Sequence, residues 1–115
     1  MIPDRREKED RELCADLVKV RWKTESEKDQ SEWAILEDIS PSGACFEMER
    51  SILPDTKVTL EFPTDTCDAR VIYCRFDDVK YLVGVEFLQG YRWSRRKFKP
   101  QHLLQFRLRQ VAKNQ

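Results

Sequence analysis

Two short polar segments of the sequence carry the residue types best suited to binding a small anionic ligand. The first is the charged segment Asp4–Arg11, in which arginines are interleaved with carboxylates. The second, Asp38-Ile39-Ser40-Pro41-Ser42-Gly43, directly precedes an alternating apolar run. Guanidinium groups bind phosphate through paired hydrogen bonds, and Asp and Ser side chains exchange hydrogen bonds with ligand N–H groups. Each segment alone also has a plainer interpretation, as a solvated terminus and as a tight turn.

The residues that enzymes need are scarce. The single histidine, His102, adjoins an apolar pair and suits a helix surface better than a general base. With three glycines in the chain there is no glycine-rich phosphate loop. The acidic pairs Glu37-Asp38 and Asp77-Asp78 adjoin turns, where carboxylates stabilise the turn itself. We therefore expect a protein that is not an enzyme.

The four cysteines argue against a metal site. No Cys-x-x-Cys pair occurs among Cys14, Cys45, Cys67 and Cys74, so the short spacings typical of zinc ligands are missing. We expect reduced, buried thiols and no metal or cofactor. Cys67 and Cys74 have opposite parity, and a regular strand would point them to opposite faces.

Composition favours one soluble domain. The chain has 115 residues, of which 40% are hydrophobic and 37% charged, with a net charge of zero. This length supports a single core, and no apolar stretch is long enough to span a bilayer. The N-terminus lacks the apolar core of a secretory signal. We expect a cytoplasmic protein without membrane insertion.

The charge is unevenly distributed. From Gly90 onward the chain has basic residues and no acidic ones, so the preceding part is acidic. One interpretation is that this tail binds a polyanion. The other is that it lies against the acidic body of its own domain. The basic residues are Arg92, Arg95, Arg96, Lys97, Lys99, Arg107, Arg109 and Lys113.

Alternation with a period of two dominates the middle of the chain and predicts six short strands. The first is expected near residues 16–24, and the second is expected to carry Trp33, Ile35 and Ile39 on one face. Such a series of strands favours a mainly β fold, a small antiparallel barrel closed without free edges. The other inward sets are Val18, Val20, Trp22; Ala44, Phe46, Met48; Val58, Leu60, Phe62; Cys67, Ala69, Val71, Tyr73; and Tyr81, Val83, Val85, Phe87.

The two ends of the chain differ from the barrel. Residues 1–12 have no apolar period and are predicted to form a flexible N-terminal arm. Residues 13–90 form the barrel, and residues 91–115 a basic C-terminal segment. Pro100 suits the first turn of a helix, and Leu104, Leu108 and Val111 follow at helical spacing. We therefore predict a C-terminal α-helix.

In combination, these features resemble the PilZ family of bacterial receptors for cyclic di-GMP. The segment 38–43 matches that family's Asp-x-Ser-x-x-Gly motif, and the arginine-rich arm precedes it as expected. The first strand ends in Val-Arg-Trp, and Val83-Gly84-Val85-Glu86-Phe87 looks like the final barrel strand. The likeness covers nearly the whole chain and includes the helix after a six-stranded barrel.

The resemblance implies a ligand and a site. Arg6 and Arg11, with Arg5 as a further candidate, would bind the phosphates and guanines of cyclic di-GMP. Asp38 and Ser40 would read a guanine edge. Gly43 would adopt positive φ and let a ligand ring approach the backbone. Ordering of the arm would relay binding to an unidentified effector protein.

The arm departs from the family pattern Arg-x-x-x-Arg, which leaves alternatives open. Glu9 lies four residues after Arg5, and Arg11 lies five residues after Arg6. One alternative is a PilZ-like protein-interaction module that has lost nucleotide binding. A less favoured one is a small barrel that binds nucleic acid through the basic tail, although inward aromatics would leave no exposed stacking surface.

Overall fold

A computed structural model describes residues 10–101 of the chain. Arg5 and Arg6, most of the predicted arm, and the helix predicted after Pro100 lie outside the described residues. Six strands account for most of the described part. They are β1 (Glu12–Lys23), β2 (Asp29–Ser40), β3 (Gly43–Met48), β4 (Lys57–Glu61), β5 (Thr66–Asp77) and β6 (Lys80–Phe87).

The strands form a closed antiparallel barrel in the order β1-β2-β3-β6-β5-β4, with β4 pairing back to β1. The predicted mainly β, six-stranded barrel is confirmed, although β1 begins at Glu12 rather than near residue 16. Two-residue hairpins join β2 to β3 and β5 to β6. In the second hairpin Asp78 has a φ of 67°, consistent with the predicted turn. Within residues 10–101, no helix is long and apolar enough to cross a membrane.

The core follows the predicted alternation on most strands. Inward residues of β1, β3 and β4 are almost completely buried, while their neighbours in sequence point outward. Closure of the barrel lets every strand bury one face without leaving an open edge. The fully buried side chains include Val18, Val20, Phe46, Met48, Val58, Leu60, Val71, Val83 and Val85.

A bulge in β2 corrects the predicted second strand. The pairing register shifts between Leu36 and Asp38, so that Glu37 is an extra residue. Before the bulge, the inward residues are Ala34 and Leu36, and after it Ile39 points inward. Trp33 therefore faces out and is 62% exposed, and the expectation that the barrel aromatics point inward is wrong at this position.

A second bulge, in β5, corrects the predicted positions of the cysteines. The register shifts between Val71 and Tyr73. As a result Cys74 packs against the core on the same side as Cys67, and Tyr73 turns to the outer face. Burial raises the pKa of the Cys67 thiol to about 12. All four cysteines are free thiols.

Tyr73 lies directly over Gly84 on the outside of the barrel. A Cβ atom on Gly84 would be 2.1 Å from Tyr73 Cε1, so only glycine leaves room for the ring. The Tyr73 hydroxyl donates to Cys45 Sγ at 3.4 Å, from the neighbouring strand. This contact ties β5, β6 and β3 together on the outer face.

Residues after β6 cover one end of the barrel. Trp93 and Phe98 are buried, and Phe98 stacks on Phe62 with ring centroids 4.6 Å apart. The indole N–H of Trp93 donates to the carbonyl of Phe98 at 3.2 Å. Aromatic packing of this kind fixes the segment to the open end of the barrel, where β1 begins and β4 ends.

The extra residue of the β2 bulge brings two carboxyl groups together on the outer face. Hydrogen bonding to Glu47, followed by partial burial and the negative charges of Glu47 and Asp77, raises the pKa of Glu37 to about 7. Two adjacent negative charges repel, so Glu37 keeps its proton to a higher pH than a free carboxyl does. At neutral pH the Glu37 carboxyl is therefore close to its titration midpoint.

We expect Gly84→Ala to destabilise the fold by about 1–3 kcal/mol, because the added methyl displaces the Tyr73 ring. Urea denaturation measures this change. In a Tyr73→Ala background the same substitution should cost little, since the ring that collides with it has gone. Equal stability of Gly84→Ala and the native protein would contradict the packing described.

The Glu37 carboxyl predicts a specific pH dependence of stability. Its folded pKa is raised, so the folded state binds a proton that the unfolded chain releases, and stability falls as pH rises from about 4.5 to about 7. Glu37→Gln should flatten that decline in urea melts at several pH values. Glu25→Gln, an exposed loop position, is the matched control. Identical slopes for the native protein and Glu37→Gln would refute the raised pKa of Glu37.

Candidate functional site

Asp38 owes its position on the barrel to the β2 bulge. It pairs in register with Leu13 of β1 and Cys45 of β3, and residues opposite each other share a face. Cys45 contacts Tyr73 on the outer side, so Asp38 also points outward although its strand neighbour Ile39 is in the core. Asp38 is itself buried, at 9% exposure. A carboxylate is thus built into the outer surface instead of extending into solvent.

The remaining motif residues form the β2–β3 hairpin. Ser40 pairs with Gly43 across the two-residue turn, and the Ser40 hydroxyl donates to the Gly43 carbonyl at 3.3 Å. Gly43 lies in β3, and the positive φ expected there is wrong, since Gly90 is the glycine with positive φ in the described part of the chain. What Gly43 provides is a buried position without a side chain, paired with Ser40.

Arg11 is the predicted arm residue that the structure describes, and it lies next to this motif. It directly precedes β1, whose first residue Glu12 pairs with Ile39. The pairing of β1 with β2 begins at Glu12, so Arg11 is the residue immediately before the paired part of β1, and it is half-buried. The structure therefore places Asp38, Ser40 and Gly43 on one hairpin beside the start of β1, which Arg11 directly precedes, while Arg5 and Arg6 lie outside the described residues.

Two further residues beside the motif escaped the sequence prediction. Tyr73 follows Asp38 and Cys45 along one row across the outer face, because Cys45 pairs with Gly84 and Gly84 with Tyr73. The guanidinium of Arg75 lies 5.7 Å from the centre of the Tyr73 ring. A glycine in the middle of a strand was the available signal, since it often marks a close approach by another group.

An ion-pair group borders the other side of the motif. Gly43 pairs with Glu86, and Glu86 with Arg70. Arg70 contacts Glu86 at 2.5 Å and Asp55 at 2.6 Å. The hydrogen bond to Glu86 is the main reason why the pKa of Arg70 is raised. The site thus combines fixed positive and negative groups around a side-chain-free position.

The segment after β6 contacts both the β2–β3 hairpin and the start of β1. The backbone N–H of Trp93 donates to the Pro41 carbonyl within the hairpin turn at 2.9 Å. Arg95 forms an ion pair with Glu12, which raises the pKa of Arg95. For Arg95, this contact agrees with the interpretation that the basic tail lies against its own domain. The backbone N–H of Gln101 donates to Asp16 Oδ2 at 2.7 Å.

Two surface grooves, of about 630 and 580 Å³, lie at the opposite end of the barrel. Both are bordered by Trp22, Lys23, Thr24 and Thr56. They contain none of the predicted ligand-binding residues, so volume alone does not make them the better candidate. No group of three or more His, Cys, Asp or Glu side chains suited to a metal ion occurs within residues 10–101.

Two solved structures share this fold at low sequence identity. The PilZ domain with c-di-GMP of YcgR from Escherichia coli matches with a TM-score of 0.53 and 14% identity, covering 74% of this chain and 79% of that one. MrkH of K. pneumonia matches with a TM-score of 0.51 and 15% identity, covering 99% of this chain. This chain spans only 51% of MrkH. At such identities the likeness shows the fold.

The family assignment has independent support from the sequence. No curated protein matches this chain. The family model for the PilZ domain matches residues 5–100, which include the arginine-rich arm, the Asp-x-Ser-x-x-Gly hairpin and all six strands. The chain belongs to the PilZ domain family.

Proposed function

We propose that this protein is a cyclic di-GMP receptor that binds the nucleotide on the outer face of the barrel, beside the β2–β3 hairpin. The observation that carries the proposal is that the hairpin with Asp38, Ser40 and Gly43 lies beside the start of β1, directly after Arg11, in a member of the PilZ domain family. The structure of a YcgR PilZ domain with c-di-GMP supports the choice of ligand. The matched family is not a catalytic one.

The residue types suit the two phosphates and two guanines of the ligand. Arg11, together with Arg6 and Arg5 of the arm, offers guanidinium forks for phosphate oxygens and for guanine O6 and N7. Asp38 accepts hydrogen bonds from guanine N–H groups, and the Ser40 hydroxyl exchanges one beside it. Gly43 leaves space for the base to approach the hairpin backbone.

Tyr73 and Arg75 extend the proposed site. The Tyr73 ring is fixed by Gly84 beneath it and by its hydrogen bond to Cys45. A fixed aromatic ring with a guanidinium nearby provides planar surfaces on which a guanine stacks. We assign these two residues to base stacking rather than to recognition of the base edge.

Binding also needs a route to an output. We propose that the ligand orders the N-terminal arm, residues 1–12, and that an effector protein recognises the ordered form. A second candidate function is a protein-interaction module without a nucleotide. It is favoured by Leu17 and Trp33, which are 60% and 62% exposed on the outer face of β1 and β2.

Calorimetric titration of cyclic di-GMP into the purified protein tests the receptor function. We expect saturable binding, weakened about tenfold or more by Arg11→Ala and by Asp38→Asn, since each removes charge-assisted hydrogen bonds. Arg21→Ala is the matched control, because Arg21 lies near the far end of β1 and forms an exposed ion pair with Glu61.

Circular dichroism establishes that each variant is folded at the temperature of the titration. If the folded native protein gives no heat at two temperatures, the receptor function is wrong and the interaction module becomes the better account. If Arg21→Ala weakens binding as much as Arg11→Ala does, the proposed location on the barrel is wrong.

A further inference from the structure

The ion pair between Glu12 and Arg95 joins residues that are far apart in the sequence and lies directly beside the proposed site. Glu12 is 8% exposed, which is unusual for a carboxylate. Its Oε1 atom accepts hydrogen bonds from Nε and Nη2 of Arg95. Its Oε2 atom is buried without a hydrogen-bond partner in the described part of the chain. Arg95 therefore supplies the compensation that keeps this charge inside the protein.

The direction of Glu12 determines the direction of its neighbour. Glu12 pairs with Ile39, which is completely buried, so both side chains point toward the barrel interior. Neighbouring side chains on a strand point to opposite faces. Arg11 directly precedes Glu12, and continuing the alternation by this one residue assigns Arg11 to the outer side, where Asp38 lies.

We propose that Arg95 is a positioning residue for the nucleotide site: by drawing Glu12 to the inner side of β1, it holds Arg11 on the outer side. This inference rests on the proposed binding of cyclic di-GMP. It adds a residue, 84 positions after Arg11, that acts on the ligand only through Glu12.

Arg95 is held in place independently of Glu12. Trp93, two residues earlier, is buried, and its backbone N–H donates to the carbonyl of Pro41 in the turn between β2 and β3. Gln101, six residues later, is bonded to Asp16 of β1. The backbone on both sides of Arg95 is therefore fixed by hydrogen bonds to the rest of the domain. From this fixed position, the Arg95 guanidinium binds Glu12 at the start of β1.

Loss of the guanidinium has a definite physical consequence. A buried carboxylate without a partner is strongly unfavourable, so Glu12 would turn toward water. Because the strand has a period of two, this movement shifts the register at the base of the arm and turns Arg11 away from Asp38. An apolar residue at position 12 needs no partner and should stay inside without Arg95.

Titration of cyclic di-GMP into four variants and the native protein tests this mechanism. Arg95→Ala should weaken binding by about tenfold or more, as expected for loss of a positioned arginine contact. Glu12→Met gives the reference affinity for a strand start that needs no charged partner. The double variant Glu12→Met with Arg95→Ala should bind as tightly as Glu12→Met does, and more tightly than Arg95→Ala. Arg96→Ala, an exposed neighbour of the same charge, should have no effect.

The recovery in the double variant separates positioning from other roles. If Arg95→Ala binds like the native protein, or if the double variant stays as weak as Arg95→Ala, the inference is overturned. The second result would mean that Arg95 acts on the ligand by its own charge or contact. If Arg95→Ala does not fold, the comparison of Glu12→Met with the double variant still tests the inference. The inference requires these two variants to bind equally, and weaker binding by the double variant would overturn it.

The native protein distinguishes the two proposals. Absence of binding to the native protein overturns the receptor function and the positioning role with it. Native binding with no dependence on Arg95 overturns the positioning role alone. Amide hydrogen exchange at residues 12–16 of the ligand-free protein gives a readout without nucleotide: Arg95→Ala should accelerate it and the double variant should restore it.

Discussion

The alternation of inward and outward residues, shifted by a bulge in β2, is the constraint on which the proposed site depends. A closed barrel of this size fills its interior with side chains, so a carboxylate on a regular strand must point outward. The extra residue Glu37 lets Leu36 and Ile39 both remain in the core while Asp38 turns out between them. Without the bulge, a strand that kept Leu36 in the core would point Asp38 inward and Ile39 outward.

The same end of the barrel receives both ends of the described chain. β1 starts there at Glu12, and the segment that follows β6 returns to the same place through Trp93, Arg95 and Gln101. One basic residue of the C-terminal segment, Arg95, pairs there with an acidic residue at the start of β1, Glu12. The start of β1, the β2–β3 hairpin and the C-terminal segment are therefore in direct contact.

This connection gives the proposed receptor a route for its signal. A ligand held by Arg11 and the hairpin would stabilise the start of β1, and the Glu12–Arg95 pair would transmit that to the C-terminal segment. Linkage requires the effect to be reciprocal, so a protein that bound the C-terminal segment would alter affinity for the nucleotide. An effector could then recognise either the arm or this segment.

Much of the fold was predictable from the sequence because period-two alternation is a local property. The strands containing Val18, Phe46 and Leu60 are confirmed with their inward faces. The bulges were not predictable, since a register shift depends on the partner strand and not on the strand's own residues. This is why Trp33, Cys74 and Tyr73 were assigned to the wrong faces.

The candidate site was predictable to a similar extent. The motif residues Asp38, Ser40 and Gly43 do form one hairpin, which local turn chemistry already favoured. Tyr73 and Arg95 were missed because their positions arise from contacts between distant strands and segments. Glycine at position 84 and the charge asymmetry were the partial signals for them.

Mapping of backbone amide chemical shifts during titration with cyclic di-GMP tests the central claim most directly. The account predicts that the largest changes fall on residues 11–13 and 38–43 and on Tyr73 and Gly84, with smaller changes at residues 93–96. Changes centred on the grooves near Trp22 and Thr56, at the opposite end of the barrel, would contradict it, as would the absence of any change.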